Sequence, residues 1–179
     1  MEPMVKTHNL LTLHGEPILT EVLPTLNKDS ISQQELNDLL HNMHEVMLQY
    51  NGVGLAANQI GRSERVFITR SDSMSGYRCF INPVIVSKSE LTEELDEGCL
   101  SLPGISSKTV RYKTVELQWL DQEWVQHVDH FEGLMAQIIQ HEIDHLNGML
   151  YVDHFKPLKR QLLINKHKKY IKKSRFNRS

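Results

Sequence analysis

The segment His141-Glu142-Ile143-Asp144-His145 places four ionisable side chains in an otherwise apolar stretch, and it constrains the fold more than any other feature of the sequence. Residues 132–147 have helical spacing, with Leu134, Ile138 and both histidines along one stripe and Gly148 placed to end the helix. Neighbouring isoleucines and a leucine indicate that this helix is buried, and buried His and Glu side chains need partners. The other elements are therefore expected to pack around it.

The two histidines lie four residues apart, so both imidazoles leave the same face of a helix and can bind one metal ion. Glu142 is suited to accept a proton from a water that attacks beside this ion and to deliver it to a leaving group. The alternative is a chance HExxH pattern in a solvated helix. The apolar surroundings favour the catalytic interpretation.

A catalytic metal site of this type needs a third protein ligand and an open fourth position. Cys99 is the candidate, because the glycines and proline of residues 97–104 (EGCLSLPG) predict a fixed, irregular backbone between strands. A lone cysteine can instead be a small buried hydrophobe, which is our interpretation of Cys79 in the apolar stretch Cys79-Phe80-Ile81. Two cysteines are too few for a disulfide framework, and a reducing compartment fits best.

Residues 52–59 (GVGLAANQ) form a predicted loop whose side chains are small enough for a substrate to lie against the backbone. The side-chain amide of Gln59 could stabilise an oxyanion, as could the backbone N–H of Leu100 beside the cysteine ligand. The alternative is structural: Gly52 ends the preceding helix, and Ala56 and Ala57 form a tight packing contact.

The order of predicted elements indicates an α+β fold in one domain, residues 1–179, with antiparallel sheets around the HExxH helix. An N-terminal helix over 32–50 opens with a capping box, Ser32-x-x-Glu35, and a last helix begins at Pro157. Between them we predict strands near 65–69, 79–86, 109–120 and 123–128, the last two joined as a hairpin by Asp121 and Gln122.

Charge is distributed unevenly along the chain. Residues 1–153 hold 10 Lys/Arg and 22 Asp/Glu, a net charge of −12, whereas residues 154–179 hold 10 Lys/Arg and no acids, a net charge of +10. This basic C-terminal helix or tail predicts contact with a polyanion such as ribosomal RNA or a membrane surface; a solubilising tail is the alternative. No signal peptide or membrane span is apparent, so we expect a cytoplasmic monomer of bacterial type without a DNA partner.

Three segments, GVGLAANQ at 52–59, EGCLS at 97–101 and QHEIDHLNG at 140–148, together resemble the signature motifs of peptide deformylases. The resemblance extends from about Leu10 to about Asp153. It implies removal of the formyl group from the N-terminal methionine of newly made proteins, with release of formate. It also implies one divalent ion per chain, Fe(II) in the cell, with Zn(II), Ni(II) or Co(II) as substitutes in isolated protein.

The resemblance also implies a role for each matching residue. Cys99, His141 and His145 match the metal ligands, Glu142 the acid/base, and Gln59 with the Leu100 N–H the oxyanion donors. Gly54 and the neighbouring Val53 match backbone positions that pair with the substrate main chain, and Gly52 is placed with them among the substrate-binding residues. The methionine pocket would draw on Val53, Leu134, Gln137, Ile138 and His141.

Three charged residues near the ligands, Glu97, Asp144 and Arg111, are predicted to orient them, although Asp144 and Arg111 could form an ordinary structural ion pair. The chain departs from the family at Ser106, near which many members have a substrate-binding arginine, and at the polar Gln137 in the pocket. The resemblance further implies that the C-terminal helix can reach the ribosome, here through Lys166, Lys168, Lys169, Lys172 and Lys173. Three alternatives stay open: a divergent family member or a metallopeptidase that acts on another N-blocked peptide, and a non-catalytic homologue that binds the ribosome.

Overall fold

The structure is a computed structural model, and it describes residues 11–70 and 76–176. These residues form helices α1 (Gln33–Gln49), α2 (Gly133–Leu146) and α3 (Pro157–Phe176), together with short 3-10 helices. The strands are β1 (Gly54–Ala56), β2 (Val66–Arg70), β3 (Tyr77–Lys88), β4 (Thr92–Gly98), β5 (Ser106–Tyr112), β6 (Thr114–Leu120) and β7 (Gln126–Glu132).

The strands form two antiparallel sheets. The larger has the order β1-β2-β3-β6-β7, and the smaller pairs β4 with β5. This arrangement confirms the predicted α+β class with antiparallel sheets. Strand β1 lies at one end of the larger sheet, where it pairs with β2 on one side.

Helix α1 begins as the sequence predicts. Ser32 and Glu35 form the complete capping box, and the helix buries a row of leucine and methionine side chains against β1 and β2. The end of the helix differs in detail from the expectation that Gly52 ends it. The residue with a left-handed backbone conformation is Asn51 (φ 54), and the N–H of Gly52 donates to the carbonyl of Met47 at 2.8 Å.

Two strand predictions were wrong in their limits. The single strand expected over 109–120 is divided at Lys113 into β5 and β6, which belong to different sheets. The hairpin is confirmed, but its loop covers 121–125, because the Asp121 carboxylate accepts hydrogen bonds from the N–H groups of Glu123 and Val125. Trp124 takes φ 65 within this loop.

Helix α2 contains the His141–His145 segment and lies against both sheets. Its apolar side packs Ala136, Ile139, Ile143 and Leu146 into a cluster with aromatic residues of the larger sheet. On the other sheet, the Gln140 amide exchanges hydrogen bonds with the backbone N–H and C=O of Tyr112, at 3.0 and 2.9 Å. The helix is thereby fixed to both sheets, and Gly148, with φ 70, follows its end as predicted.

Helix α3 begins at Pro157, as predicted, and one side of it is buried. Ile164 packs with Leu102 and Ile105 in a cluster that includes Cys99, and the ring Nδ1 of His167 lies 2.9 Å from the carbonyl of Pro103. The basic C-terminal segment is therefore anchored along part of its length. Within 11–70 and 76–176, no helix combines the length and apolarity needed to cross a bilayer.

Candidate active site and metal centre

The cysteine and the two histidines predicted as metal ligands lie together. Cys99 comes from the connection between β4 and β5, and His141 and His145 come from α2. One ligand atom from each residue lies within 4.8 Å of the others, and the Cys99 Sγ is 3.2 Å from His145 Nε2. A thiolate and two imidazoles at this spacing suit one tetrahedral ion with an open fourth position.

The hydrogen bonding and charge of this cluster fit a cation. His141 directs Nδ1 to Glu97 at 2.5 Å, which leaves its Nε2 for a metal. Burial lowers the pKa of His145 well below its usual value, and a neutral imidazole is the form that ligates. Burial alone would also lower the pKa of His141, but Cys99 and Glu97 raise it well above the usual value. The negative charge that has this effect also attracts a cation.

Glu142 lies beside the ligands with part of its carboxylate unpaired. The residue is 3% exposed, and its Oε2 has no hydrogen-bond partner among the described residues. Burial raises the pKa of Glu142 to about 7. A carboxyl group with a pKa near neutrality can both accept and release a proton at physiological pH.

Strand β1 passes directly against this carboxylate. A Cβ atom placed on Gly54 would lie 2.5 Å from Glu142 Oε1 and 2.9 Å from Ile138 Cγ2. A Cβ atom would therefore fit there only if the Glu142 carboxylate and the Ile138 side chain moved, and glycine permits the close approach of the backbone to Glu142. Within the loop predicted over 52–59, Gly54–Ala56 form strand β1, and a 3-10 helix, Ala57–Ile60, begins directly after it.

Gln59 directs its amide toward the cysteine. Its Oε1 accepts a hydrogen bond from the N–H of Ala56 at 2.9 Å, and its Nε2 lies 3.6 Å from Cys99 Sγ and 3.2 Å from Ser101 Oγ. The oxygen is therefore held away from the ligands and the N–H groups face them. Leu100, the second predicted oxyanion donor, lines the same cavity.

That cavity has a volume of about 400 Å³ and opens between β1, the β4–β5 connection and α2. Its lining includes all six residues predicted to bind substrate: Gly52, Val53, Gly54, Leu134, Gln137 and Ile138. It also includes six residues that were not predicted: Asn51, Asp96, Gly98, Pro103, Gly104 and Ile105. No motif assigns these six to a substrate site, and folding brings Asn51 next to the segment 96–105 that contains the other five.

The polar residue in the predicted methionine pocket has a backbone partner. Gln137 is 8% exposed, and its Nε2 donates to the carbonyl of Asp96 in β4 at 3.0 Å. The amide is thus occupied by the strand, and the aliphatic part of the side chain remains available to the cavity.

The three charged residues predicted behind the ligands form one network. Arg111 donates from Nε and Nη2 to the two oxygens of Glu97, at 3.0 and 2.5 Å, and from Nη1 to Asp144 at 2.7 Å. Burial alone would raise the pKa of Glu97, but hydrogen bonds with His141 and Arg111 lower it to about 2. Glu97 is therefore a fixed anion that orients His141.

Three further polar residues contact the site but were not predicted. Asn58 donates from Nδ2 to the carbonyl of His145 at 2.6 Å, and Ser101 lies against the Gln59 amide. Both belong to the motifs quoted above, so position alone could have suggested them. The third, His154, approaches Asp144 and Arg111 from outside these motifs.

Cys79 lies apart from this centre. It is buried in the core cluster beneath α1, and burial raises the pKa of its thiol. It does not belong to the metal-binding group found among the described residues, which agrees with its interpretation as a small hydrophobe.

Comparison with known proteins places this geometry in a family. The family described as polypeptide deformylase matches residues 9–161. The chain belongs to the polypeptide deformylase family. A peptide deformylase of Fusobacterium nucleatum is 38% identical over 153 residues, which cover 86% of this chain and 87% of the relative. One from Mesorhizobium japonicum is 37% identical over 166 residues, covering 90% and 92%.

Solved peptide deformylase structures share the fold. The crystal structure of the enzyme from Legionella pneumophila superposes with a TM-score of 0.84 at 33% identity, covering 92% of this chain and 95% of that one. A peptide deformylase from Ehrlichia chaffeensis gives a TM-score of 0.81 at 31% identity, covering 90% and 95%. The family predicted from the three motifs is confirmed, and so is its hydrolase activity on formyl-methionyl chains.

Proposed function

We propose that this deformylase works through one divalent ion held by Cys99, His141 and His145, with Glu142 as acid and base. The substrate is the formylated N-terminal methionine of a newly made protein, and the products are formate and a free amine. The observation that carries the proposal is the close grouping of the three ligand atoms, two of whose residues, Cys99 and His141, line one cavity with Glu142 and Gln59.

The chemistry divides between the ion and the chain. When bound, the ion would act as a Lewis acid that lowers the pKa of a water molecule. Glu142 accepts the proton as the water oxygen bonds to the formyl carbon, and it passes that proton to the amine nitrogen as the C–N bond breaks. The Gln59 amide and the Leu100 N–H donate hydrogen bonds to the formyl oxygen while negative charge develops on it.

The cavity would hold the first residues of the substrate in extended form. Gly54 in strand β1 is suited to pair with its main chain, as is the neighbouring Val53, whose carbonyl also accepts from the N–H of Arg70 in β2. Leu134, Ile138 and the aliphatic part of Gln137 would surround the methionine side chain. Ser106 takes the place near which many family members have an arginine, so the chain beyond methionine would be bound less tightly here.

A formate-release assay tests this proposal. Protein purified without oxygen and loaded with Fe(II) is given a formyl-methionyl peptide, beside Glu142→Gln and a control variant, Glu45→Gln, on the exposed side of α1. We expect release by wild type and by the Glu45 variant, and a loss of at least 100-fold in Glu142→Gln. Equal release by all three proteins would refute the role of Glu142. No release from metal-loaded wild type would refute the proposed site.

Iron is proposed as the metal in the cell. One thiolate and two imidazoles are ligands that accept Fe(II), Zn(II), Ni(II) or Co(II), so the donor set supports a divalent transition metal. Metal analysis of protein purified with and without oxygen tests the choice. Iron at one equivalent per chain in the anaerobic preparation is expected, and zinc at one equivalent in both would refute it.

The organisation of the whole chain is also part of the proposal. Residues 1–179 would form one catalytic domain, a cytoplasmic monomer in which the sheets are packed around the HExxH helix, with 154–179 as its basic C-terminal helix. The contacts of α2 with both sheets and of α3 with the cysteine segment support this. Light scattering that gave the mass of a dimer would contradict the monomer.

The basic C-terminal helix is proposed to bind the ribosome. Its five lysines at 166, 168, 169, 172 and 173 are exposed, whereas Ile164 and His167 are buried, so removal of the helix would damage the body. Charge removal is the cleaner test: Lys166→Gln/Lys169→Gln/Lys173→Gln is compared with Lys28→Gln/Lys108→Gln/Lys113→Gln in low-salt ribosome co-sedimentation. Weaker binding by the first variant alone supports the proposal, and equal binding rejects it.

A further inference from the structure

The network behind the metal ligands extends to a residue that no motif includes. His154 ends the short 3-10 helix Tyr151–His154 between α2 and α3, and its side chain is 33% exposed. Its Nε2 lies 2.6 Å from Asp144 Oδ2 and 3.3 Å from Arg111 Nη1. At 2.6 Å from a carboxylate oxygen, the ring nitrogen is best placed to donate.

From His154 an unbroken series of short contacts leads inward to a metal ligand. Asp144 Oδ2 accepts from Arg111 Nη1 at 2.7 Å, and Arg111 Nη2 donates to Glu97 Oε1 at 2.5 Å. The same Glu97 oxygen lies 2.5 Å from His141 Nδ1. The Arg111 and Glu97 side chains are only 4% exposed, whereas exposure rises to 17% at Asp144 and to 33% at His154.

We propose that His154 is a positioning residue for the metal centre, acting through Asp144, Arg111 and Glu97 on His141. This inference depends on the proposed function, since it assumes that His141 binds the ion. The guanidinium of Arg111 is shared by two carboxylates, an inner one on Glu97 that is enclosed by protein and an outer one on Asp144 that is partly exposed. His154 holds the outer one in place.

The effect follows from the geometry at Asp144. Its Oδ2 accepts from both Arg111 and His154, so both donors fix one rotamer of a partly exposed carboxylate. Without His154, water competes for that oxygen and the carboxylate can turn away from Arg111. The guanidinium then loses one of its two anchors, and Glu97 and the His141 ring are held less firmly.

The test uses a matched pair of histidines. In the β6–β7 hairpin, His127 Nε2 also lies 2.6 Å from an aspartate oxygen, that of Asp121. The Asp121 carboxylate otherwise accepts from the N–H groups of Glu123 and Val125, so its hydrogen bonds lead along the hairpin loop and not to a metal ligand. His154→Ala, His154→Gln and His127→Ala are loaded with Co(II). The visible absorption spectrum of Co(II) and its rate of release to a chelator are then measured, beside the unfolding temperature.

Removal of an outer partner that touches a ligand directly costs about 10–100-fold in metal affinity, and His154 acts from further out. We therefore expect release about tenfold faster for His154→Ala, with an altered Co(II) spectrum. His154→Gln keeps an N–H donor and should release Co(II) within about twofold of wild type. His127→Ala should lose stability without a change in release or spectrum.

Wild-type release and spectrum in His154→Ala would overturn the proposal, as would an equal change in His127→Ala. If His154→Ala does not fold, it is replaced by His154→Asn, whose side chain is one methylene shorter than that of Gln. Co(II) release from His154→Asn as slow as that from His154→Gln would also overturn the proposal. Deformylation by wild type is measured on the same preparation. Absence of deformylation by wild type would count against the proposed function. Active wild type together with unchanged Co(II) release and spectrum in His154→Ala would reject only the positioning role of His154.

Discussion

Replacement of Gly54 by alanine tests how closely strand β1 must approach the acid/base residue. The new Cβ would lie 2.5 Å from Glu142 Oε1 and 2.9 Å from Ile138 Cγ2. Gly54 does not have a positive φ, so alanine introduces no backbone strain, and the whole effect comes from these contacts.

The magnitude follows from the distance. Ordinary contacts of a Cβ atom begin at about 3.4 Å, so the Glu142 carboxylate has to move by roughly 1 Å. A displacement of about 1 Å in a catalytic group can reduce a rate about 100-fold. Crowding in a well-packed region also costs about 1–3 kcal/mol of unfolding free energy. We expect kcat/KM to fall about 100-fold, while the metal content stays that of wild type because no ligand is touched.

The assay is formate release together with metal analysis and thermal unfolding. Gly61→Ala is the matched control, because Gly61 has φ 75 and its added Cβ would meet only Thr12 Oγ1 at 3.8 Å. It should lose about 1–2 kcal/mol of stability through strain and keep its activity. Activity of Gly54→Ala within about threefold of wild type would show that β1 and Glu142 are not in the close contact that the structure describes.

Three other predictions follow from the site. The kcat/KM of wild type should fall as the pH drops through the pKa of Glu142, which lies at or below about 7 because a bound cation lowers this pKa. The same acidic fall in the pH profile of Glu142→Gln would contradict this prediction. In the metal-free wild type, ionised Glu97 should add on the order of 3 kcal/mol to the free energy of unfolding above pH 4.5, because its pKa is lowered to about 2 in the folded state. This contribution should be lost as the pH falls toward 2. Urea unfolding at several pH values should therefore show a free energy of unfolding that depends less on pH in Glu97→Gln than in wild type. Ser101→Ala removes a partner of the Gln59 amide, so kcat should fall about fivefold with KM unchanged, and an unchanged kcat would contradict that role.

The sequence predicted those parts of the fold that have strong local signals. The capping box of Ser32 and Glu35 fixed the start of α1, and the apolar period of residues 132–147 located α2. Strand β4 was missed because its sequence, TEELDEG, is mostly acidic and lacks the alternation of a half-buried strand. Strand β1 was predicted as a loop, because it has only three residues and two of them, Gly54 and Ala56, are small.

The candidate site was predictable where its residues lie in motifs with a chemical reason for their spacing. The ligand set and Glu142 belong to this class, and the structure places them together. His154 was not predictable, because one histidine in a polar segment gives no signal until the fold brings it to Asp144. The packing of Tyr170 over Gly104 is of the same kind: it depends on α3 crossing the cysteine segment, which no local pattern indicates.

The two buried glutamates of the site show why one fold can assign opposite roles to the same side chain. Hydrogen bonds from Arg111 and His141 outweigh the burial of Glu97, so its pKa falls to about 2. Glu142 is buried without a comparable donor, so its pKa rises to about 7. When the pKa values of two neighbouring carboxyl groups differ in this way, the group with the lower pKa stays ionised and the group with the higher pKa carries the proton. The position of Arg111 beside Glu97 therefore supports the orienting role proposed for Glu97, and the burial of Glu142 supports its proposed acid/base role.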